Sequence, residues 1–252
     1  MDEDAELAAL RRMLSSGPRT QRQRPAALTP PSQPQGAPVT PLGTAVGNES
    51  ETPNSAVRLL ELLKDRDGLD EAQPMLEVEL RTREQRLGAD HPDTLLSVTC
   101  LAMLLQAKGE LAAARPFYER ALKGFEVKYG PTARDTLISV NNLAVLLKAM
   151  GNLAEARPLY QRVLAGDEQQ LGKTHPHTLD SIYNLARLYQ AEGNLEEAIP
   201  LFRRELGGCC EQYGEQHNET RTSANNLYGI MVEMGNADEA AELAKRFNLL
   251  PE

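Results

Sequence analysis

The sequence predicts an all-α protein built as a solenoid of stacked antiparallel helix pairs. Three observations lead to this fold class: positions recur every 42 residues, each recurring segment holds two stretches with helical spacing of apolar residues, and aromatic residues make up only 4% of the chain. An internal repeat of roughly 20–50 residues indicates a stacked array. The low aromatic content disfavours a β-sandwich or a β-barrel, whose strands are enriched in aromatic and β-branched residues.

Five sets of identical residues recur at the 42-residue step, and each set is termed a column. The columns are Pro74, Pro116, Pro158 and Pro200; Ala72, Ala114, Ala156, Ala198 and Ala240; Gly88, Gly130, Gly172 and Gly214; Thr94, Thr136, Thr178 and Thr220; and Leu101, Leu143, Leu185 and Leu227. Five independent columns with one period do not arise by chance, so the repeat is the first feature that any interpretation must satisfy.

Each repeat unit is predicted to contain two helices. The segment TLISVNNLAVLLKAM (136–150) forms the first helix of the best-formed unit, and Gly151 ends it as a left-handed cap. Its apolar stripe consists of Val140, Leu143, Ala144 and Leu147. The second helix is predicted from Leu153 to about Leu171, where Gly172 closes it. Neither helix buries its whole apolar surface within the pair, so the units must stack and leave a concave inner face.

The chain changes in composition near residue 53. Residues 1–53 are rich in Pro, Ser and Gln and are predicted to be disordered, because such a segment buries too little apolar area to offset its chain entropy. Residues 54–252 are predicted to form the solenoid, with about five units. The first unit (54–87) and the last are atypical, with Leu60 and Tyr228 at a position that holds alanine elsewhere. Atypical end units are expected of an array that must be capped.

The charge balance and the apolar pattern exclude several classes of partner. Lys and Arg total 27 against 36 Asp and Glu, a net charge of −9, whereas nucleic acid and anionic membranes require a basic surface. No apolar run approaches the roughly 20 residues that span a bilayer. The chain starts with acidic residues and lacks a secretory pattern, and its three cysteines have no framework spacing. A cytoplasmic protein is expected.

No candidate catalytic or metal centre emerges from the sequence. His91, His175 and His217 share one column, so they are expected to line an edge of the solenoid instead of converging on a metal. Phosphate-binding and nucleophile motifs are missing, so we expect neither a cofactor nor enzymatic activity. The adjacent Cys209 and Cys210 have two interpretations: a buried Cys209 beside a more exposed Cys210, or a redox sensor.

Two runs of the chain resemble the 42-residue tetratricopeptide repeats of the kinesin light chain family. They are LGKTHPHTLDSIYNLARLYQAEGNLEEAIPLFRREL (171–206) and YGPTARDTLISVNNLAVLLKAMGNLAEARPLYQRVL (129–164), which share the Asn-Leu-Ala and Gly-Asn-Leu-x-Glu-Ala motifs. The resemblance covers roughly residues 69–245. It implies a right-handed solenoid, a cargo or adaptor role, kinesin heavy chain as a partner and an association with the cytoskeleton. Residues 1–53 nevertheless lack the sustained heptads with which that family pairs with the heavy chain.

The ligand surface is predicted on the first helix of each unit, on the side opposite the packing stripe. The predicted groove residues are Asn141, Val145, Lys148, Tyr183, Asn184, Arg187, Gln190 and Asn225. Amide side chains can satisfy a peptide backbone, and Lys148 and Arg187 offer positive charge in an acidic protein. The column of Asn142, Asn184 and Asn226 has two interpretations, hydrogen bonding between adjacent helices or contact with a ligand.

These observations lead to two hypotheses of function. The first is a non-catalytic scaffold that holds an extended peptide, acidic or aromatic-acidic, in its concave groove. The second is a regulatory or assembly subunit of an enzyme or of a ciliary or cytoskeletal complex, docked by the convex face. Mutation of the groove separates the two hypotheses, because only the first requires groove residues for binding.

Overall fold

The computed structural model describes residues 69–249, and within that range every regular element is an α-helix. The helices are α1 (Leu69–Leu87), α2 (Pro92–Ala107), α3 (Leu111–Tyr129), α4 (Arg134–Ala149), α5 (Leu153–Leu171), α6 (Pro176–Ala191), α7 (Leu195–Tyr213), α8 (Asn218–Glu233) and α9 (Ala237–Phe247). The predicted disordered segment 1–53 lies outside the described residues. Residues 54–68 of the predicted first unit also lie outside the described residues.

Each helix packs against its neighbours in the chain, as in a solenoid. Ten of the 16 residues of α4 are buried but only five of the 19 residues of α5, because the first helix of a unit is covered by second helices on two sides. The exposed surface of α2, α4, α6 and α8 is termed the inner face, and that of α1, α3, α5, α7 and α9 the outer face. The predicted all-α solenoid is confirmed.

The helix predictions for the best-formed unit are accurate to within two residues. The first helix, predicted over 136–150, is α4 (Arg134–Ala149), and the second is α5 (Leu153–Leu171), as predicted. The stripe residues Val140, Leu143, Ala144 and Leu147 are all buried. The alanine of the second helix, Ala156, is also fully buried, so small residues let the two helices approach closely.

The glycine and threonine columns fix the chain reversal between units. Gly130 follows α3 with a φ of 88°, a conformation that side-chain-bearing residues disfavour. Six residues later, the Thr136 hydroxyl donates a hydrogen bond of 2.8 Å to the Gly130 carbonyl oxygen. The same bond joins Thr94 to Gly88, Thr178 to Gly172 and Thr220 to Gly214. The two columns therefore act together as one repeated turn.

An ion-pair ladder links successive second helices along the outer face. Its rungs are Arg120 with Glu84, Arg162 with Glu126 and Arg204 with Glu168. Their side chains are about one-third exposed, and ion pairs near solvent contribute only about 0–1 kcal/mol each. Val78 takes the arginine position in the first unit, where the described chain has no earlier rung. The last helix, α9, has 11 residues where α7 has 19. Both ends are thus atypical.

The histidine column caps helices. The Nδ1 atoms of His91, His175 and His217 each accept a hydrogen bond of 3.2 Å from the backbone N–H two residues further on. Pro92 and Pro176 follow as first helical residues, where a missing N–H costs nothing. This capping accounts for the column without a metal, and no group of three His, Cys, Asp or Glu side chains within residues 69–249 is arranged to hold one.

The cysteines are placed as the first interpretation predicted. Cys100 and Cys209 are buried, and Cys210 is half-buried. Burial raises the pKa of the Cys100 thiol to about 12 and also raises that of Cys210. Because the thiolate is the reactive form, these shifts disfavour a redox sensor. Among the described residues, no helix combines the length and apolar character that a bilayer crossing requires.

Candidate functional site

An open cleft, formed by residues of α4, α5 and α6, lies between α4 and α6 on the inner face and has a cavity volume of about 40 Å³. It is termed the inner cleft. Its lining consists of Arg134, Leu137, Ile138, Asn141, Val163, Asp167, Gln170, Leu171, His177, Asp180, Ser181 and Asn184. Two of the predicted groove residues, Asn141 and Asn184, are therefore part of this cleft.

Direct side-chain contacts join α4 to α6 across the cleft. Asn184 Nδ2 donates to Asn141 Oδ1 at 3.3 Å, and the Arg134 guanidinium lies 3.0 Å from His177 Nε2. Asn141 is consequently only 6% exposed. The sequence placed Asn141 on an open surface, and this placement is wrong because the next unit covers its side chain.

The asparagine column behaves in two ways. Asn184 bonds to the neighbouring first helix, as the structural interpretation predicted. In contrast, the Nδ2 atoms of Asn142 and Asn226 are buried and have no hydrogen-bond partner within residues 69–249. A buried donor without a partner costs about 1–3 kcal/mol. The column therefore includes both a satisfied structural amide and two amides that the described chain leaves unsatisfied.

Lys148 and Arg187 lie on the first helices of adjacent units, near enough for the charge of Arg187 to act on Lys148. Burial lowers the pKa of the Lys148 ammonium to about 8, and the positive charge of Arg187 adds to this effect. Lys148 lies in the last turn of α4, where the helix dipole favours a cation. Its pKa is nevertheless lowered, so its surroundings as a whole disfavour the charged form. The charge of Arg187, from the next unit, therefore acts on Lys148, and the predicted shared binding of one acidic segment by the two side chains stays a prediction.

The other predicted groove residues have different surroundings. Gln190 Oε1 accepts a hydrogen bond of 2.6 Å from Arg187, and Gln190 Nε2 donates to Glu233 of α8 at 3.3 Å. The half-buried Val145 packs against the core, and the ring of Tyr183 lies edge-on to Phe202 at 6.1 Å. Asn225 is exposed on α8. The structure therefore groups Lys148, Arg187 and Gln190, whereas Tyr183 belongs partly to the core.

Sequence reasoning missed Asp167, a carboxylate that α5 contributes to the inner cleft. Ser181 donates a hydrogen bond to Asp167 Oδ2, yet burial raises the pKa of the carboxyl above its ordinary value. The corresponding residues of the other units are Arg83, Phe125 and Cys209. The signal that identifies Asp167 in the sequence is this break in its column, on a second helix, whereas the ligand surface was predicted on the first helices.

Replacing Lys148 with methionine is expected to stabilise the protein. Because the folded-state pKa of about 8 lies below the ordinary lysine value of 10.5, the unfolded chain binds more protons between these values, and wild-type stability rises with pH across that window. Lys148→Met should therefore raise the free energy of unfolding by about 1 kcal/mol at neutral pH, a figure reduced for solvent screening. The advantage should shrink as the pH rises above 8.

Urea denaturation at several pH values measures this difference. The control is Lys123→Met, since Lys123 is exposed on the outer helix α3. A loss of stability in Lys148→Met, or the same change in both variants, would show that the Lys148 charge does not strain the fold.

Comparisons with known proteins agree with this architecture. A family model described as a tetratricopeptide repeat matches residues 95–169, 135–211 and 181–246. The chain is similar to a Podosopora anserina structure of nearly identical, kinesin light chain-like repeats, with 27% identity, a TM-score of 0.68, and coverage of 79% of this chain and 96% of that one. Among curated proteins, none matches the chain at a significant level.

Two further structures share the fold at lower identity. BtubC from P. vanneervenii is 18% identical with a TM-score of 0.58, over 77% of this chain and 87% of that one. A Rap protein solved with competence and sporulation factor is 16% identical with a TM-score of 0.54, over 76% of this chain and 49% of that one. The repeat columns, the stacked helix pairs and the family match lead to one conclusion: this chain belongs to the tetratricopeptide-repeat family.

Proposed function

We propose that this protein is a non-catalytic scaffold that binds an extended acidic segment of a partner protein along its inner face. The residues proposed to form the binding surface are the predicted groove residues, with Lys148, Arg187 and Gln190 at the centre. Asn141 is covered and is proposed to act indirectly, through its bond to Asn184. We further propose a cytoplasmic location and a kinesin light chain-like adaptor role, because the chain is similar to kinesin light chain-like repeats over 79% of its length.

The observation that carries the proposal is the cation pair formed by Lys148 and Arg187. Burial and mutual repulsion both disfavour the charge of Lys148, so the pair opposes folding. The corresponding position is glutamine in the units before and after, Gln106 and Gln190, so packing does not require a cation there. Groups that cost stability are concentrated at functional sites.

An anionic ligand would relieve this cost. A carboxylate between the two cations neutralises their repulsion and restores the charged form of Lys148, and charge-assisted hydrogen bonds of this type are the strong ones. Arg187 is exposed, so a ligand can reach it without unfolding the site. Because the protein carries a net charge of −9, this local positive surface also selects one docking position for an acidic segment.

A display selection tests the proposal. The intact protein is used to select from a library of random peptides about ten residues long, which span about 33 Å when extended. We expect the selected peptides to be enriched in Asp and Glu relative to the unselected library. A synthetic peptide from the selection, labelled with fluorescein, then provides the probe for anisotropy titrations.

Two outcomes would contradict the proposal. If no acidic peptides are enriched, the inner face is not a binding site for acidic segments. If acidic peptides are enriched equally by a Lys148→Glu/Arg187→Glu variant, they bind elsewhere, and docking by the outer face becomes the better account.

A further inference from the structure

The inner cleft differs in charge from the cation pair on the same face. Asp167 and Asp180 contribute two carboxylates to its lining, against the single guanidinium of Arg134. The Arg134 guanidinium is already in contact with His177 Nε2. The inner face of these two units therefore has a basic end at Lys148 and Arg187 and an acidic end in the cleft.

Asp167 is the group that the repeat itself does not explain. Its column holds arginine, phenylalanine and cysteine in the other units, so the helix packing tolerates neutral residues at this position. Burial is the largest effect on the carboxyl and raises its pKa, outweighing the hydrogen bond from Ser181 and the charge of Arg134. Burial therefore disfavours the ionised carboxylate despite the charges of Arg134 and His175, and a ligand cation in the cleft would stabilise it.

The walls of the cleft fit the stem of a basic side chain. Ile138 and Leu171 line it beside Asp167, and both are half-buried. Lysine and arginine lay their methylene groups along apolar surface while the charged head contacts a polar group. Ser181 occupies Asp167 Oδ2, and the second oxygen of the carboxylate is the natural acceptor for an ammonium or guanidinium group.

We propose that the inner cleft binds a basic side chain, lysine or arginine, of the same peptide whose acidic residue lies between Lys148 and Arg187. This inference rests on the proposed function and adds the second half of its recognition pattern. The cleft residues Ile138 and Asn141 precede Lys148 by ten and seven positions, about 15 and 10 Å along α4. An extended peptide covers these distances in about three to five residues.

The test uses the display selection on three proteins: wild type, Asp167→Asn and Arg134→Gln. Asp167→Asn removes the charge but keeps the shape and an oxygen for Ser181 to donate to. Peptides selected by the wild type should carry Lys or Arg about three to five residues from Asp or Glu. The Asp167→Asn protein should lose this basic preference and keep the acidic one.

A matched pair of peptides measures how much the basic residue contributes to the binding affinity. One selected peptide is compared with a twin in which norleucine replaces the basic residue, since norleucine keeps the stem and removes the charge. The wild type should bind the twin about fivefold more weakly, whereas Asp167→Asn should bind both within about twofold, as in a double-mutant cycle. Arg134→Gln should bind the basic peptide at least as well as the wild type, because it removes a competing cation.

Each remaining outcome overturns the inference. Equal binding of the two peptides by the wild type, or fivefold discrimination retained in Asp167→Asn, would show that the cleft does not hold the basic group. Weaker binding by Arg134→Gln with no effect of Asp167→Asn would show that the cleft holds an anion. Acidic enrichment without basic enrichment refutes only this inference, whereas the loss of acidic enrichment also refutes the proposed function.

Discussion

Replacing Ala144 with tyrosine is expected to destabilise the solenoid by about 1–3 kcal/mol or more, because a large ring must enter a close-packed helix interface. Ala144 is fully buried in α4, and Ala156 of α5 is likewise fully buried. Close-packed interiors have no void for the ring, so the two helices must separate or neighbouring side chains must leave their preferred rotamers.

Urea denaturation followed by far-UV circular dichroism measures this effect. Ala149→Tyr is the matched control, because Ala149 belongs to the same helix and is exposed. The midpoint for Ala144→Tyr should fall, and that for Ala149→Tyr should stay within about 0.5 kcal/mol of wild type in free-energy terms. An unchanged midpoint in Ala144→Tyr would refute the assignment of the packing stripe.

Most of the fold could be predicted from the sequence because the same pattern of helices and turns recurs in every repeat unit. The 42-residue columns set the unit length, the apolar stripe of residues 140–147 set the buried face, and Gly151 marked the end of the first helix. The structure adds the reason for two columns: the threonine hydroxyls close the turn on the glycine carbonyls. The columns identify both residues in the sequence, but only the structure shows that they are hydrogen-bonded to each other.

The candidate site was less accessible, because it depends on how one unit leans on the next. Helical spacing placed Asn141 opposite the stripe, but Asn184 of the next unit donates a hydrogen bond to its side chain. The same spacing put Lys148 and Arg187 on first helices of adjacent units, and the charge of Arg187 does act on Lys148 there. Asp167 escaped prediction because the candidate ligand surface was sought on the first helices, whereas Asp167 reaches the cleft from the second helix α5.

The charge reversal Lys148→Glu with Arg187→Glu is expected to weaken peptide binding at least about tenfold, or about 1.4 kcal/mol. Both substitutions place a carboxylate where the ligand carboxylate would lie, so attraction becomes repulsion. The melting temperature should not fall, because the double variant replaces one pair of like charges with another. Only the exposed hydrogen bond from Arg187 to Gln190 is lost.

The control must change the net charge equally without touching the inner face. Lys123 and Lys128 are both exposed on the outer helix α3, so Lys123→Glu with Lys128→Glu meets this requirement. Arg204 is unsuitable as a control site because it forms an ion pair with Glu168. Each double variant must first show a wild-type circular dichroism spectrum.

The affinity of one selected acidic peptide for these three proteins tests the central claim most directly. Fluorescence anisotropy should give a dissociation constant at least about tenfold higher for Lys148→Glu/Arg187→Glu than for wild type, and a change below about twofold for Lys123→Glu/Lys128→Glu. Equal losses of affinity in the two variants would show that the effect comes from the net charge of the protein and not from a site on the inner face. An unchanged dissociation constant in the inner-face variant would contradict the claim that the peptide binds along the inner face.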